Sequence, residues 1–109
     1  MICRIWRGWT TPANADAYQA IVRDEVMPEI VSRGIEGFRH YDLMRREAGD
    51  EVEFTTIMWF DNLDSVRAFV GEDYEAAHVP PKPRTVLKRW DDRVAHYKTF
   101  AREPIGSNC

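Results

Sequence analysis

Apolar and polar positions alternate from Ile2 to Thr10, setting Ile2, Arg4 and Trp6 on one side and Cys3, Ile5, Arg7 and Trp9 on the other. This is the period-two pattern of a β-strand, and both of its faces carry bulky apolar groups. Thr11-Pro12 supplies an N-cap candidate followed by a proline at the first helical position. Ala17, Tyr18, Ile21, Val22, Met27, Ile30 and Val31 then recur at helical spacing up to about Arg33, with Gly34 as the stop. Pro28 lies inside this helix, cannot donate to the carbonyl of Asp24, and predicts a kink or break.

A second strand is expected from Gly37 to Glu47, a hairpin turn at Ala48-Gly49-Asp50, and a third strand from Glu51 to Phe60. The third strand sets Val52, Phe54, Thr56, Met58 and Phe60 against Glu53, Thr55, Ile57 and Trp59. Asp61 or Asn62 can cap a second helix whose inward stripe is Leu63, Val66, Phe69 and Val70. After Gly71 comes a short segment from Tyr74 to His78, read as helical, then Pro80-Pro81-Lys82-Pro83, which can begin another helical turn through Val86-Leu87. Asp91-Asp92 turns the chain into a last strand, Arg93 to Phe100, and residues 101–109 form a polar tail.

The order β-α-β-β-α-β is two split crossover units, for which right-handed connections leave a ferredoxin-like α+β sandwich with an antiparallel sheet. A helix of about 20 residues rises ~30 Å, close to the reach of nine-residue strands, so helices and sheet match in length. Helices of this topology cover one face only, yet Trp6, Trp9, Ile5, Ile57, Met58, Trp59 and Phe60 put bulk on both. A homodimer joined through its sheet faces covers the second face, and an apolar ligand groove is the alternative use for it.

Composition narrows the function classes. With 109 residues, 44% hydrophobic and 30% charged, the chain has the make-up of one water-soluble domain over residues 1–100, and no apolar run approaches the roughly 20 residues needed to span a bilayer. A net charge of -3 argues against a nucleic-acid surface. Lys82, Arg84, Lys88 and Arg89 read as a solvated face beside acidic neighbours. Met1-Ile2-Cys3-Arg4 lacks the basic-then-apolar opening of a secretory signal, which predicts a cytoplasmic protein, and Cys3 and Cys109 are read as free thiols. No metal site is expected, because His40, Asp42 and His96 lack ligand spacing, and no phosphate loop or hydrolase triad can be argued from the order of residues.

The strand Phe54-Thr55-Thr56-Ile57-Met58-Trp59, the helix Asp61 to Phe69 and the segment Tyr74-Glu75-Ala76-Ala77-His78 resemble the core signature of the antibiotic biosynthesis monooxygenase superfamily, over roughly residues 1 to 100. The resemblance implies a dimeric α/β barrel and, as one activity among several that the family hosts, oxidation of a small aromatic (a phenol, hydroquinone or polyketide-like compound) by O2 with no cofactor. The haem-degrading branch pairs a histidine in the place of His78 with a tryptophan on the second helix and an asparagine on the first strand. Here Leu63 to Gly71 holds no tryptophan and Met1 to Thr11 no asparagine. Haem degradation therefore ranks below cofactor-free oxygenation, with haem binding and a non-catalytic dimeric binder of an apolar molecule as alternatives.

Cofactor-free oxygenation needs an apolar cavity, a base, and a donor or cation near the developing oxyanion. His78 is the expected base, since a histidine near its ordinary pKa of about 6.5 can take or give a proton at neutral pH. The plain alternative is that it satisfies backbone groups at a helix end. Tyr74 is expected one helical turn before it on the same face, Trp59 as a flat wall, Tyr18 as lining, and Arg84 as the cation.

Overall fold

The computed structural model describes residues 1–106. The chain runs β1 (Ile2–Thr10), a 3-10 turn (Pro12–Asn14), α1 (Ala15–Ile21), a π-helical stretch (Val22–Val26), α2 (Met27–Ser32), β2 (Phe38–Ala48), β3 (Glu51–Phe60), α3 (Leu63–Val70), α4 (Pro81–Arg84), β4 (Arg89–Trp90) and β5 (Ala95–Lys98). All strand pairs are antiparallel, in the order β2-β3-β1-β4 with β5 also on β1, which is the ferredoxin-like arrangement. Cys109, read above as an incidental thiol, lies outside the described residues, and Cys3 is a buried free thiol.

Register decides which residues meet the helices. Arg4 pairs with Met58, Trp6 with Thr56 and Gly8 with Phe54, so these share one face of the sheet. That face carries the core of Val52, Phe54, Met58 and Phe60, packed by Tyr18, Met27 and Ile30 from the long helix and Val66 and Phe69 from α3. The opposite face presents Cys3, Ile5, Arg7 and Trp9 of β1 with Ile57 and Trp59 of β3. Among the described residues no helix covers it, although Arg102 lies over Trp59, and the molecule is 23 Å deep in its thinnest direction, enough for one sheet and one helical layer. Met44 and Tyr97, at 48% and 60% exposed, extend this apolar surface.

The long helix passes Pro28 without ending. Met27 N–H reaches the carbonyl of Val22, five residues back, and this widened π register brings Pro28 into the first turn of α2, where a missing N–H leaves nothing unpaired. The chain enters this helix through the 3-10 turn, in which Thr11 accepts from Asn14 N–H through its carbonyl and not its side chain. Ala17 and Val31 of the expected stripe are exposed. Gly34 ends the helix with a positive φ of 62°.

Asn62 caps α3, its side chain accepting from the backbone N–H of Ser65 at 3.0 Å. Asn62→Ala is therefore expected to cost about 1 kcal/mol, read as a shift in the urea midpoint at constant slope, whereas Asn62→Asp stays close to wild type.

Two expectations are corrected. Residues from Tyr74 to His78 are not helical: Ala76 bridges to Arg93, Ala77 N–H donates to Asp92 O, and Val94 N–H to Glu75 O. The last strand is also split. Between the pairs Ile5↔Ala95 and Gly8↔Trp90, β1 spends residues 6–7 while the edge spends residues 91–94, so the edge bulges off β1 and reaches the 75–77 segment instead. These two departures are one event, since the bulge and the extended segment satisfy each other's backbone groups.

Candidate functional site

A cavity lies between the sheet and the long helix. About 50 Å³ of it is open to the centre of a water molecule, which is room for roughly four waters. Arg4, Trp6, Thr56 and Met58 form its floor, Tyr18, Val22, Val26, Met27 and Ile30 its roof, and Phe69, His78, Val79, Pro80 and Pro83 its remaining wall. The π stretch contributes Val22 and Val26, so the register change enforced near Pro28 also shapes the cavity.

His78 is positioned by the extended segment that follows α3. Its ring meets Phe69 edge-on at 5.2 Å, and its Nε2 is buried with no hydrogen-bond partner among the described residues. Burial, then Arg33 and Arg4, push its pKa below 6.5, opposed by Glu29. The imidazole is thus held neutral at pH 7, with a buried nitrogen beside an apolar cavity.

Arg4 is the cation of this site, and it is only 3% exposed. Its Nη1 donates to Tyr74 O at 2.6 Å and its Nη2 to Ala76 O at 2.6 Å. Nη1 also lies 3.2 Å from His96 Nε2. Arginine can only donate, so His96 accepts through Nε2 and is the neutral Nδ1–H tautomer. Burial lowers the Arg4 pKa to about 10, which leaves it charged at neutral pH. Phe69 lies 5.4 Å beneath its guanidinium carbon, so one ring touches both Arg4 and His78.

The other expected site residues separate. Tyr18 lines the cavity, 3% exposed, and burial raises its phenol pKa well above the ordinary value. Trp59 lies on the opposite face of the sheet, donating to Asp42 Oδ2 at 3.0 Å and stacked against His40 at 5.3 Å. The tryptophan wall is Trp6, whose indole N–H donates to Asp91 O at 3.0 Å. Tyr74 does not share a helical face with His78; its ring packs on His96 at 5.3 Å, and its carbonyl holds Arg4. Arg84 is exposed and braces the wall from outside, donating Nε to Val79 O at 2.7 Å. Lys82, Lys88 and Arg89 pair with Glu25 and Glu51, the solvated face expected.

Arg4 was missed as a site residue because the strand pattern names its face-mates, Ile2 and Trp6, without saying which face the helices cover. Among the described residues, no three His, Cys, Asp or Glu side chains are grouped to hold a metal ion. At about 50 Å³ the cavity as it stands is far too small for a haem macrocycle beside His78, and smaller too than a single aromatic ring needs. No helix among the described residues is long and apolar enough to cross a membrane.

The two half-buried histidines, His78 and His96, make stability depend on pH. His96 is pushed down to about 4 by burial and by Arg4, against Glu75, and His78 also falls below 6.5. Below pH 6.5 the unfolded chain takes up protons that the folded chain refuses, so stability falls as pH drops from about 6.5 toward 4. The paired carboxylates Glu29 and Glu51 add their own loss only below about 4.5. Urea midpoints are expected to decline between pH 6.5 and 4.5, with a shallower decline in His96→Gln. A flat midpoint over that interval contradicts the burial of neutral imidazoles.

No family model matches the chain, and no curated protein does either. Solved structures do. A Bacillus cereus protein provisionally assigned as an antibiotic biosynthesis monooxygenase aligns over 95% of both chains at a TM-score of 0.63 and 10% identity. The fold is that of the antibiotic biosynthesis monooxygenases. Rv0793 of Mycobacterium tuberculosis shares the fold over 94% of the present chain and 98% of its own, at a TM-score of 0.57 and 18% identity. SnoaB, a cofactor-independent oxygenase from Streptomyces nogalater, aligns at 0.48 and 16% identity over 96% and 97%, too loosely to add to the assignment.

Proposed function

We propose that the protein is a cofactor-independent monooxygenase of a small phenol or hydroquinone, with His78 as the base. The observation that carries this reading is that His78, whose Nε2 is buried and without a partner among the described residues, lines an apolar cavity whose one charged lining group is Arg4. The monooxygenase-type fold supports it.

His78 Nε2 takes the phenolic proton, and Arg4 stabilises the phenolate. The anion gives one electron to O2, forming an aryloxyl radical and superoxide. Their union makes a carbon–oxygen bond at a ring position that bears hydrogen. His78 returns its proton to the peroxide, and loss of water leaves a quinone, so phenol plus O2 becomes quinone plus water. Buried apolar walls exclude bulk water from the intermediates.

The cavity favours one ring over a fused polyketide. An apolar cavity of about 150 Å³ holds benzene, so even a single ring displaces part of the present wall. The wall of Val79, Pro80 and Pro83, which precedes and opens the short α4, is the one we expect a ring to displace. The uncovered sheet face serves a homodimer, the partner's sheet covering Ile5, Ile57 and Trp59. The test is oxygen uptake with a panel of phenols and hydroquinones. Stoichiometric O2 consumption with quinone formation supports the reading; quenching of tryptophan fluorescence with no uptake supports a non-catalytic binder instead.

A further inference from the structure

Nine arginines at the surface, among them Arg7, Arg33, Arg45 and Arg93, are paired with carboxylates, while the exposed Arg84 holds Val79 O and the exposed Arg102 lies over Trp59. The buried one is not paired with a carboxylate. Arg4 is held by two carbonyl oxygens and a neutral imidazole, none of which cancels its charge. An uncompensated buried cation is costly, and the two carbonyls that Arg4 anchors leave its charge without a counter-ion.

The hydrogen-bond inventory shows what is left over. A guanidinium has five N–H donors, and the three bonds above engage Nη1 twice and Nη2 once. The Nε–H and one Nη2 hydrogen have no partner among the described residues. Nε and Nη2 border one edge of the planar group, and the free Nε–H leaves a donor on that edge for a carboxylate. Tyr74 O, Ala76 O and His96 fix the guanidinium, so this edge does not need to be ordered when a ligand arrives.

We infer that the cavity is built for an acidic ligand, a single-ring phenol whose carboxylate sits on Arg4 while its hydroxyl meets His78. This rests on reading the cavity as a ligand site and does not require that the ligand be oxidised. Phe69, in contact with both polar groups, supplies the apolar surface between them. His96 is a positioning residue here: it accepts from Arg4 and stays neutral, so it neither competes for the anion nor repels the guanidinium.

The test is anaerobic binding of 3-hydroxybenzoate and its neutral near-isostere 3-hydroxybenzyl alcohol, followed by calorimetry on the wild-type protein, so that no turnover enters the measurement. The acid is expected to bind on the order of tenfold or more tighter than the alcohol, the scale of a charge-assisted pair. Arg4→Leu is expected to abolish that preference and Arg4→Lys to retain part of it. Equal affinities in the wild type, or no binding of the acid, overturn the inference without any variant needing to fold. A preference unchanged in Arg4→Lys and Arg4→Leu also overturns it and leaves Arg4 as a structural clamp. Selective binding without oxygen uptake sustains it while removing the oxygenase reading.

Discussion

His78→Ala is expected to lower kcat for phenol oxidation by about 10²- to 10⁴-fold, the range that a positioned general base supplies. KM should move much less, because the apolar walls contributed by Trp6, Tyr18 and Met58 remain. The pH profile is a second signature. Burial, Arg33 and Arg4 hold the His78 pKa below 6.5, so kcat/KM should stay level through neutrality and fall only on the acid side of 6.5. The variant should lose this acid limb together with its rate. An imidazole that merely filled space would leave kcat within a few-fold of wild type and the limb in place.

The second large effect is on stability. Phe60→Ala is expected to cost about 3–5 kcal/mol, a sizeable part of the 5–15 kcal/mol that holds a domain of this size together. Phe60 is 0% exposed, faces Phe38 at 5.1 Å and Phe69 at 6.2 Å, and lies opposite both Ile2 and Phe38 in the sheet. Removing its ring opens a void between β3 and α3 that close-packed neighbours cannot fill. Phe69 carries the effect to the site, since the same ring supports Arg4 and His78. Urea unfolding measures the loss, and Phe60→Leu, which keeps most of the volume, should recover much of it. A change below about 1 kcal/mol contradicts the packing described.

Most of the scaffold was legible because local rules and tertiary demands agree along it. The period-two pattern of β1 and β3, the glycine turn at Gly49, the stop at Gly34 and the cap at Asn62 each follow from one backbone requirement that one residue type meets. The site was less legible, for two reasons. Both faces of the central strands are apolar, so periodicity set Trp6 against Trp9 on β1 and Met58 against Trp59 on β3 without showing which face the helices cover. Trp59 was therefore expected in the cavity where Trp6 stands, and Arg4 passed unnoticed beside Trp6.

The second reason is range. Tyr74 to Ala77 contains nothing that forbids a helical turn, and its conformation is set by partners far away in the chain: Arg4 on β1, and Asp92 and Val94 in the edge bulge. No local pattern encodes those bonds. The result is that Tyr74 contributes its carbonyl to the site and not its phenol, while His78 lines the cavity, an orientation that its position after α3 did not decide.

The central claim is that an aromatic ring occupies the helix-covered cavity with its oxygen on His78. A crystal structure of the protein soaked anaerobically with hydroquinone tests this most directly. The predicted result is a ring between Trp6 and the long helix, the Val79–Pro83 wall displaced outward, and one hydroxyl about 2.6–3.2 Å from His78 Nε2. A ring bound on the uncovered face beside Trp59, or a cavity closed by its own side chains with His78 turned away from it, would contradict the account.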